Sequence, residues 1–126
     1  MSVKEIPGQF INQTYIRLET VRKNGVAVPT TVWFFTEGAT IYVRTSGSSG
    51  KAKRIRNSPL VRIAPCTQQG KLQGNWVNGT ARFVSDDETN RVDKLLDVKY
   101  GLFKKFLNVL TGLRKVRFVM IAIDIV

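Results

Sequence analysis

Apolar and polar residues alternate along much of this chain, and the alternation predicts strands before helices. Thr14 to Val21 alternates with β-favouring residues, and Arg22-Lys-Asn-Gly25 supplies an Asn-Gly turn into a return strand over Ala27 to Phe35. Pro29 cannot donate to a sheet ladder, so that strand is expected at an edge or with a bulge. Glu37-Gly38 turns the chain into a third strand over Thr40 to Thr45. A fourth spans Leu60 to Cys66, with an irregularity favoured at Pro65, and a fifth runs from Asn75 to Val84 after a Gln68-Gln-Gly70 turn. Phe118 to Val126 reads as a final buried strand.

Helical signals are fewer. Residues 1 to 13, with Pro7 and Gly8, read as an arm or short helix. Ser48 or Ser49 is placed to cap a helix over Gly50 to Asn57, which Pro59 ends. Ser85-Asp-Asp-Glu88 has the spacing of a capping box, predicting a helix from Asp86 to about Lys99. Tyr100-Gly101 breaks it, and Leu102 to Leu110 resumes as a short amphipathic helix whose apolar side is read as core packing. The order β-β-β-α-β-β-α-α-β predicts an antiparallel sheet curled into a small barrel with helices at its edge, mostly β or α+β in class.

A chain of 126 residues is expected to form a single domain over 1–126, and its composition, 43% hydrophobic and 23% charged, is globular. The apolar stretch at Phe118 to Val126 is too short for a membrane span and contains Asp124. One cysteine, Cys66, permits no internal disulfide, and no secretory pattern opens the sequence, so a cytoplasmic protein is expected. Cys66 reads as a small buried hydrophobe. The absence of histidine excludes Ser-His-Asp and Cys-His catalysis and His-based zinc sites, leaving chemistry carried by a cofactor if the protein is an enzyme.

Charge changes the picture most. The formal net charge is +11, and Gly38 to Ser85 holds eight Lys or Arg residues with no Asp or Glu. The density peaks from Arg44 to Arg56, where a strand ends in Thr45 and Ser46 and leads through Gly47, Ser48, Ser49 and Gly50 into a basic helix. Hydroxyls, helix-terminal N–H groups and the Lys51 and Lys53 ammonium groups are suited to a phosphate, and Arg54 or Arg56 to a second acidic group. Gly47-Ser-Ser-Gly-Lys51 lacks the spacing of a nucleotide-binding P-loop and is followed by Ala52, which excludes an NTPase. Trp33, Trp76 and Tyr42 lie on predicted strands, where each taken alone is read as core.

Taken together, Val21 to Gly25, Val28 to Phe34, Ile41 to Thr45, Ser49 to Pro59, Val61 to Cys66 and Gly79 to Arg82 resemble the pyridoxamine-phosphate-oxidase-like split barrels. The branch using the deazaflavin coenzyme F420 is the most similar, over about residues 10 to 125. The resemblance implies a six-stranded antiparallel split β-barrel that forms a homodimer with flavin-type cofactors in grooves at the subunit interface. It places Pro29, Thr30, Thr31 and Val32 along the ring system. Arg44 opens the basic segment, and Thr45, Ser46, Ser49, Gly50, Lys51 and Lys53 match the phosphate-gripping residues. Trp76 faces the site or comes from the other subunit. The Arg-x-His motif of the phosphate-substrate oxidases has no counterpart in a chain without histidine, which argues against pyridoxamine phosphate oxidation.

The leading expectation is an F420-dependent reductase transferring a hydride to an electron-poor double bond of a small-molecule substrate, with no catalytic side chain assigned. An FMN-binding oxidoreductase or flavin carrier of the same fold is the first alternative. A basic barrel binding single-stranded nucleic acid is the second, opposed by aromatic residues that alternate with apolar ones as a core does.

Overall fold

The computed structural model describes residues 6–85, 87–88 and 118–126. The predicted helix beyond Glu88, the break at Tyr100-Gly101 and the amphipathic segment Leu102 to Leu110 lie outside the described residues.

Strand β1 (Tyr15–Val21) follows its alternation closely: Ile16, Leu18 and Thr20 are fully buried on one face, while Arg17 and Glu19 occupy the other. The turn to β2 (Ala27–Trp33) is closed by the Gly25 N–H donating to Arg22 O at 2.8 Å and the Arg22 N–H to Val26 O at 2.9 Å. Gly25 takes φ +86, the left-handed conformation expected of the Asn-Gly pair. Six further elements follow: β3 (Phe35–Glu37), β4 (Thr40–Ser46), helix α1 (Gly50–Asn57), β5 (Leu60–Cys66), β6 (Val77–Phe83) and β7 (Phe118–Ile125). A 3-10 turn, Gly8–Phe10, precedes β1.

The seven strands among the described residues join one antiparallel sheet in the order β2-β1-β5-β6-β7-β4-β3. The strand expected over Ala27 to Phe35 is therefore two strands, giving seven where the sequence predicted six. They form opposite edges of the sheet and are joined by Phe34 alone. A sheet whose two edges are one residue apart in the chain has to curl, and β2 does approach β4. Phe34 is driven into the interior as it crosses, 1% exposed and edge-on to Phe10 with ring centroids 6.2 Å apart.

The inner core gathers Ile16, Leu18, Ile41, Val43, Ile63, Ile121 and Ile123, with Ile55 of α1 closing one end. A second cluster of Phe35, Tyr42, Met120 and Ala122 lies outside the sheet, where the Tyr42 ring stacks on Phe35 at 5.4 Å. Gly79 on β6 is a close-packing position, since a Cβ there would stand 2.8 Å from Ile123 Cγ2 and 3.2 Å from the Asp124 carbonyl.

The two prolines within strands, Pro29 and Pro65, sit where they cost no ladder bond. The Arg22 to Val26 and Phe34 to Thr14 hydrogen bonds fix the parity of the β1–β2 ladder, so Val28, Thr30 and Val32 bond to β1 while Pro29 faces the open edge. Pro65 lies beyond the last β5–β6 pair, Ile63 with Val77, and its carbonyl accepts from the Gln73 N–H at 2.8 Å. Ser85 Oγ accepts from the Glu88 N–H at 3.3 Å, half of the predicted capping box. No helix among the described residues is long and apolar enough to cross a membrane.

Candidate functional site

The strand β4 delivers the chain to α1 through Ser46 to Ser49, and short-range hydrogen bonds shape this connection. Ser49 caps the helix, its Oγ accepting from the Ala52 N–H at 3.2 Å and from the Thr45 hydroxyl at 3.4 Å. Ser46 Oγ lies 3.1 Å from Ser48 Oγ and accepts from the Ser48 N–H at 3.3 Å. Arg56 ties the helix back to the loop, its Nη1 donating to Gly47 O at 3.0 Å. The backbone N–H groups of Gly50 and Lys51, at the positive end of the helix, have no acceptor among the described residues.

Lys51 is half-buried beside them. Burial, with the Arg54 guanidinium adding to it, holds its ammonium below the usual lysine range. None of the ion pairs among the described residues includes a cation of α1, although the helix carries Lys51, Lys53, Arg54 and Arg56. Arg54 instead turns inward and donates from Nε to the fully buried Thr20 Oγ1 at 2.6 Å. Thr20 in turn donates to Val28 O at 3.5 Å, so the helix is connected through β1 to the strand β2.

The predicted residues separate into groups. Ser46, Ser49, Gly50, Lys51 and Lys53 converge at the β4–α1 connection. Thr45 is 5% exposed with its hydroxyl spent on Ser49, so it shapes the loop from inside. Arg44 points to the opposite face of β4, its guanidinium 4.7 Å above the Phe118 ring.

On β2, Thr30 and Val32 turn into the barrel, with Thr30 Oγ1 donating to Leu18 O at 3.4 Å. Pro29 and Thr31 present the open edge and outer face. Trp76 just precedes β6, beneath the Arg62 guanidinium at 4.9 Å. Arg62 is bound bidentately by Glu19 at 2.8 Å for both bonds, and Glu19 is the ladder partner of Pro29. Trp76 thus belongs to the row Pro29, Glu19, Arg62 on the outer face.

Two residues escaped the sequence reading. Arg17, opposite Thr31, donates from Nη1 to Thr31 Oγ1 at 3.0 Å. Thr20 looked like one more polar residue in an alternating strand, and only the arrival of Arg54 explains a hydroxyl inside the barrel. The strand parity put Arg17 on the Thr31 face, but the register that makes them neighbours was not legible. Cys66 is a buried free thiol; burial pushes it up, opposed by hydrogen bonding from Thr31 and by the Arg17 charge.

A curled antiparallel sheet with one short helix at its end defines a split-barrel fold. The family model described as pyridoxamine 5'-phosphate oxidase matches residues 3–105, and the chain belongs to that family. No curated protein matches the chain.

Among solved structures, the chain is similar to HutZ, the heme storage protein from Vibrio cholerae, at 15% identity and TM-score 0.71, covering 91% of this chain and 83% of that one. It is similar to an F420 reductase at 18% identity and TM-score 0.62, covering 98% and 94%. A pyridoxamine 5'-phosphate oxidase-related, FMN-binding protein from Nostoc punctiforme aligns at 17% identity and TM-score 0.62, covering 92% and 72%. At these identities the likeness shows the fold, and neighbours of one fold hold different groups.

Proposed function

We propose that this protein is an oxidoreductase that binds coenzyme F420, with its phosphate at the β4–α1 connection and its ring along the open edge of β2. One observation carries the proposal: Lys51, half-buried beside Arg54 and two unpartnered helix N–H groups, has no carboxylate partner among the described residues. Such a donor set fits phosphate oxygens, which accept from N–H, O–H and ammonium groups alike. The excess of cations over acids from Gly38 to Ser85 also suits the further carboxylates of the F420 tail. That last feature favours F420 over FMN, since the two share a phosphate and a flat ring.

When bound, the deazaflavin supplies a two-electron hydride donor for an electron-poor double bond. The protein's part is placement. Lys51, Lys53, Ser46 and the Gly50 and Lys51 N–H groups hold the anionic end, and the β2 edge at Pro29 and Thr31 aligns the flat portion. Trp76, half-buried under Arg62, limits water on the outer face. No side-chain nucleophile enters, consistent with a chain lacking histidine.

A homodimer with the cofactor between subunits belongs to the same proposal, and light scattering with and without F420 tests it. The function is tested by titrating F420 and FMN in parallel, then assaying reduced F420 against a panel of conjugated enones and quinones. Tight binding of F420 with turnover supports it; preference for FMN moves the assignment to a flavin protein of the same fold.

A further inference from the structure

Arg62 and Arg82 are the arginines paired with carboxylates among the described residues; Arg17, like Arg54 and Arg56 of the helix, is not. Arg62 is neutralised by Glu19, Arg82 pairs with Glu88 and Asp124, Arg54 donates to Thr20, and Arg56 is tied to Gly47 O. Arg17 forms no ion pair among the described residues. One of its five N–H donors goes to Thr31 Oγ1 at 3.0 Å, which holds the guanidinium over β2, and the others have no acceptor among the described residues.

The turn at Gly70 packs directly against this pair. Gly70 takes φ +89, and a Cβ there would stand 3.0 Å from Arg17 Nη1 and 3.1 Å from Thr31 Oγ1. A side chain at position 70 would press on the pair and be strained at this φ. The nearest carboxylate along the strand, Glu19, is already occupied by both bonds from Arg62. Thr31 itself has its backbone on the open edge of β2, since the ladder parity turns Val28, Thr30 and Val32 toward β1. An oriented, unneutralised guanidinium therefore stands beside the backbone edge assigned above to the ring.

Flavin and deazaflavin rings share a pyrimidinedione portion with two carbonyl oxygens. Reduction by two electrons with uptake of one proton leaves one net negative charge spread over that portion. A guanidinium next to it interacts more strongly with the reduced form than with the neutral oxidised one. We infer that Arg17, held by Thr31 beside the open edge of β2, binds a ring oxygen of the flavin-type cofactor and selectively stabilises its reduced, anionic form. This rests on the cofactor assignment above and adds a residue and a direction to it.

The test compares wild type, Arg17→Met and Arg17→Lys for dissociation constants of oxidised and of two-electron-reduced F420, with FMN in a parallel series. Circular dichroism establishes that each variant is folded. For Arg17→Met the affinity for the reduced form is expected to fall about tenfold more than that for the oxidised form, the scale of one hydrogen bond to a charged group. By the thermodynamic cycle that lowers the bound cofactor's two-electron potential by about 30 mV for each tenfold. Arg17→Lys, which keeps the charge, is expected to retain part of the preference.

Equal weakening of both forms, or no change in either, overturns the inference while leaving the cofactor assignment standing. If Arg17→Met does not fold, a preference in Arg17→Lys that is smaller than in wild type decides for the inference, and an unchanged ratio decides against it. Wild type that binds neither cofactor overturns the assignment itself, and the inference with it.

Discussion

Arg54 Nε donates to Thr20 Oγ1 at 2.6 Å, joining the basic helix to a side chain fully buried in the barrel. The bond explains both a hydroxyl in an apolar interior and an arginine that turns away from solvent. It also connects the two halves of the proposed site, because Thr20 donates onward to Val28 O on β2. Thr20→Val preserves the side-chain shape and removes the acceptor, leaving a charged donor unpaired. A loss of about 1–3 kcal/mol in denaturant-derived stability is expected. Weaker phosphate-ligand binding should accompany it as the Arg54 side chain loses its anchor, and Thr20→Ser should recover most of both.

Lys51 is expected to separate stability from binding. Its ammonium is disfavoured by burial and by Arg54, so Lys51→Met should leave the melting temperature unchanged or raised while weakening F420 about tenfold or more. A bound anion favours the charged lysine, so wild-type affinity is full below the free protein's Lys51 pKa and falls as pH rises through it, in a window opening below 10.5. Titrations at increasing pH check this: the decline belonging to Lys51 should be absent in Lys51→Met.

The strands and α1 were legible because each carries a local signal: alternation for β1, Asn-Gly for the first hairpin, and Ser49 with Pro59 for the helix ends. The division of Ala27 to Phe35 was not, since its residues are continuously β-favouring. Only the closure of the sheet makes Phe34 a crossing point between opposite edges. The same limit applies to the site. Local order brought Ser46 to Lys53 together, whereas the separation of Pro29 and Thr31 from Thr30 and Val32 depends on which pairs of the ladder hydrogen-bond.

The Glu19–Arg62 pair gives the protein an acid-sensitive element. Hydrogen bonding from Arg62 holds the Glu19 carboxyl below its usual 4.5, with burial opposing. A carboxyl depressed in the folded state stabilises above its unfolded pKa, and that contribution is lost as pH falls through the lower folded value. Unfolding from pH 7 to pH 2 should therefore show a component below about pH 4.5 that is missing in Glu19→Gln. Trp76, stacked under Arg62, reports the same event by its emission in a Trp33→Phe background.

Gly79 should not tolerate a side chain. An alanine Cβ would stand 2.8 Å from Ile123 Cγ2 and 3.2 Å from the Asp124 carbonyl, between strands paired on both sides. Gly79→Ala is expected to cost about 1–3 kcal/mol, as overpacking does, measured by urea denaturation. Gly50→Ala should cost less, because the atom it would approach most closely is Nη1 at the movable end of Arg54.

The central claim is that the β4–α1 connection grips the phosphate end of a deazaflavin. Its most direct test is a parallel fluorescence titration of wild type and Lys51→Met with F420 and with FMN, following quenching of Trp33 and Trp76. Preferential binding of F420 by wild type, weakened in Lys51→Met with the fold retained, is the result expected. Equal F420 affinity for the two proteins would show that the phosphate is held elsewhere, and silence with both cofactors would contradict the proposed function.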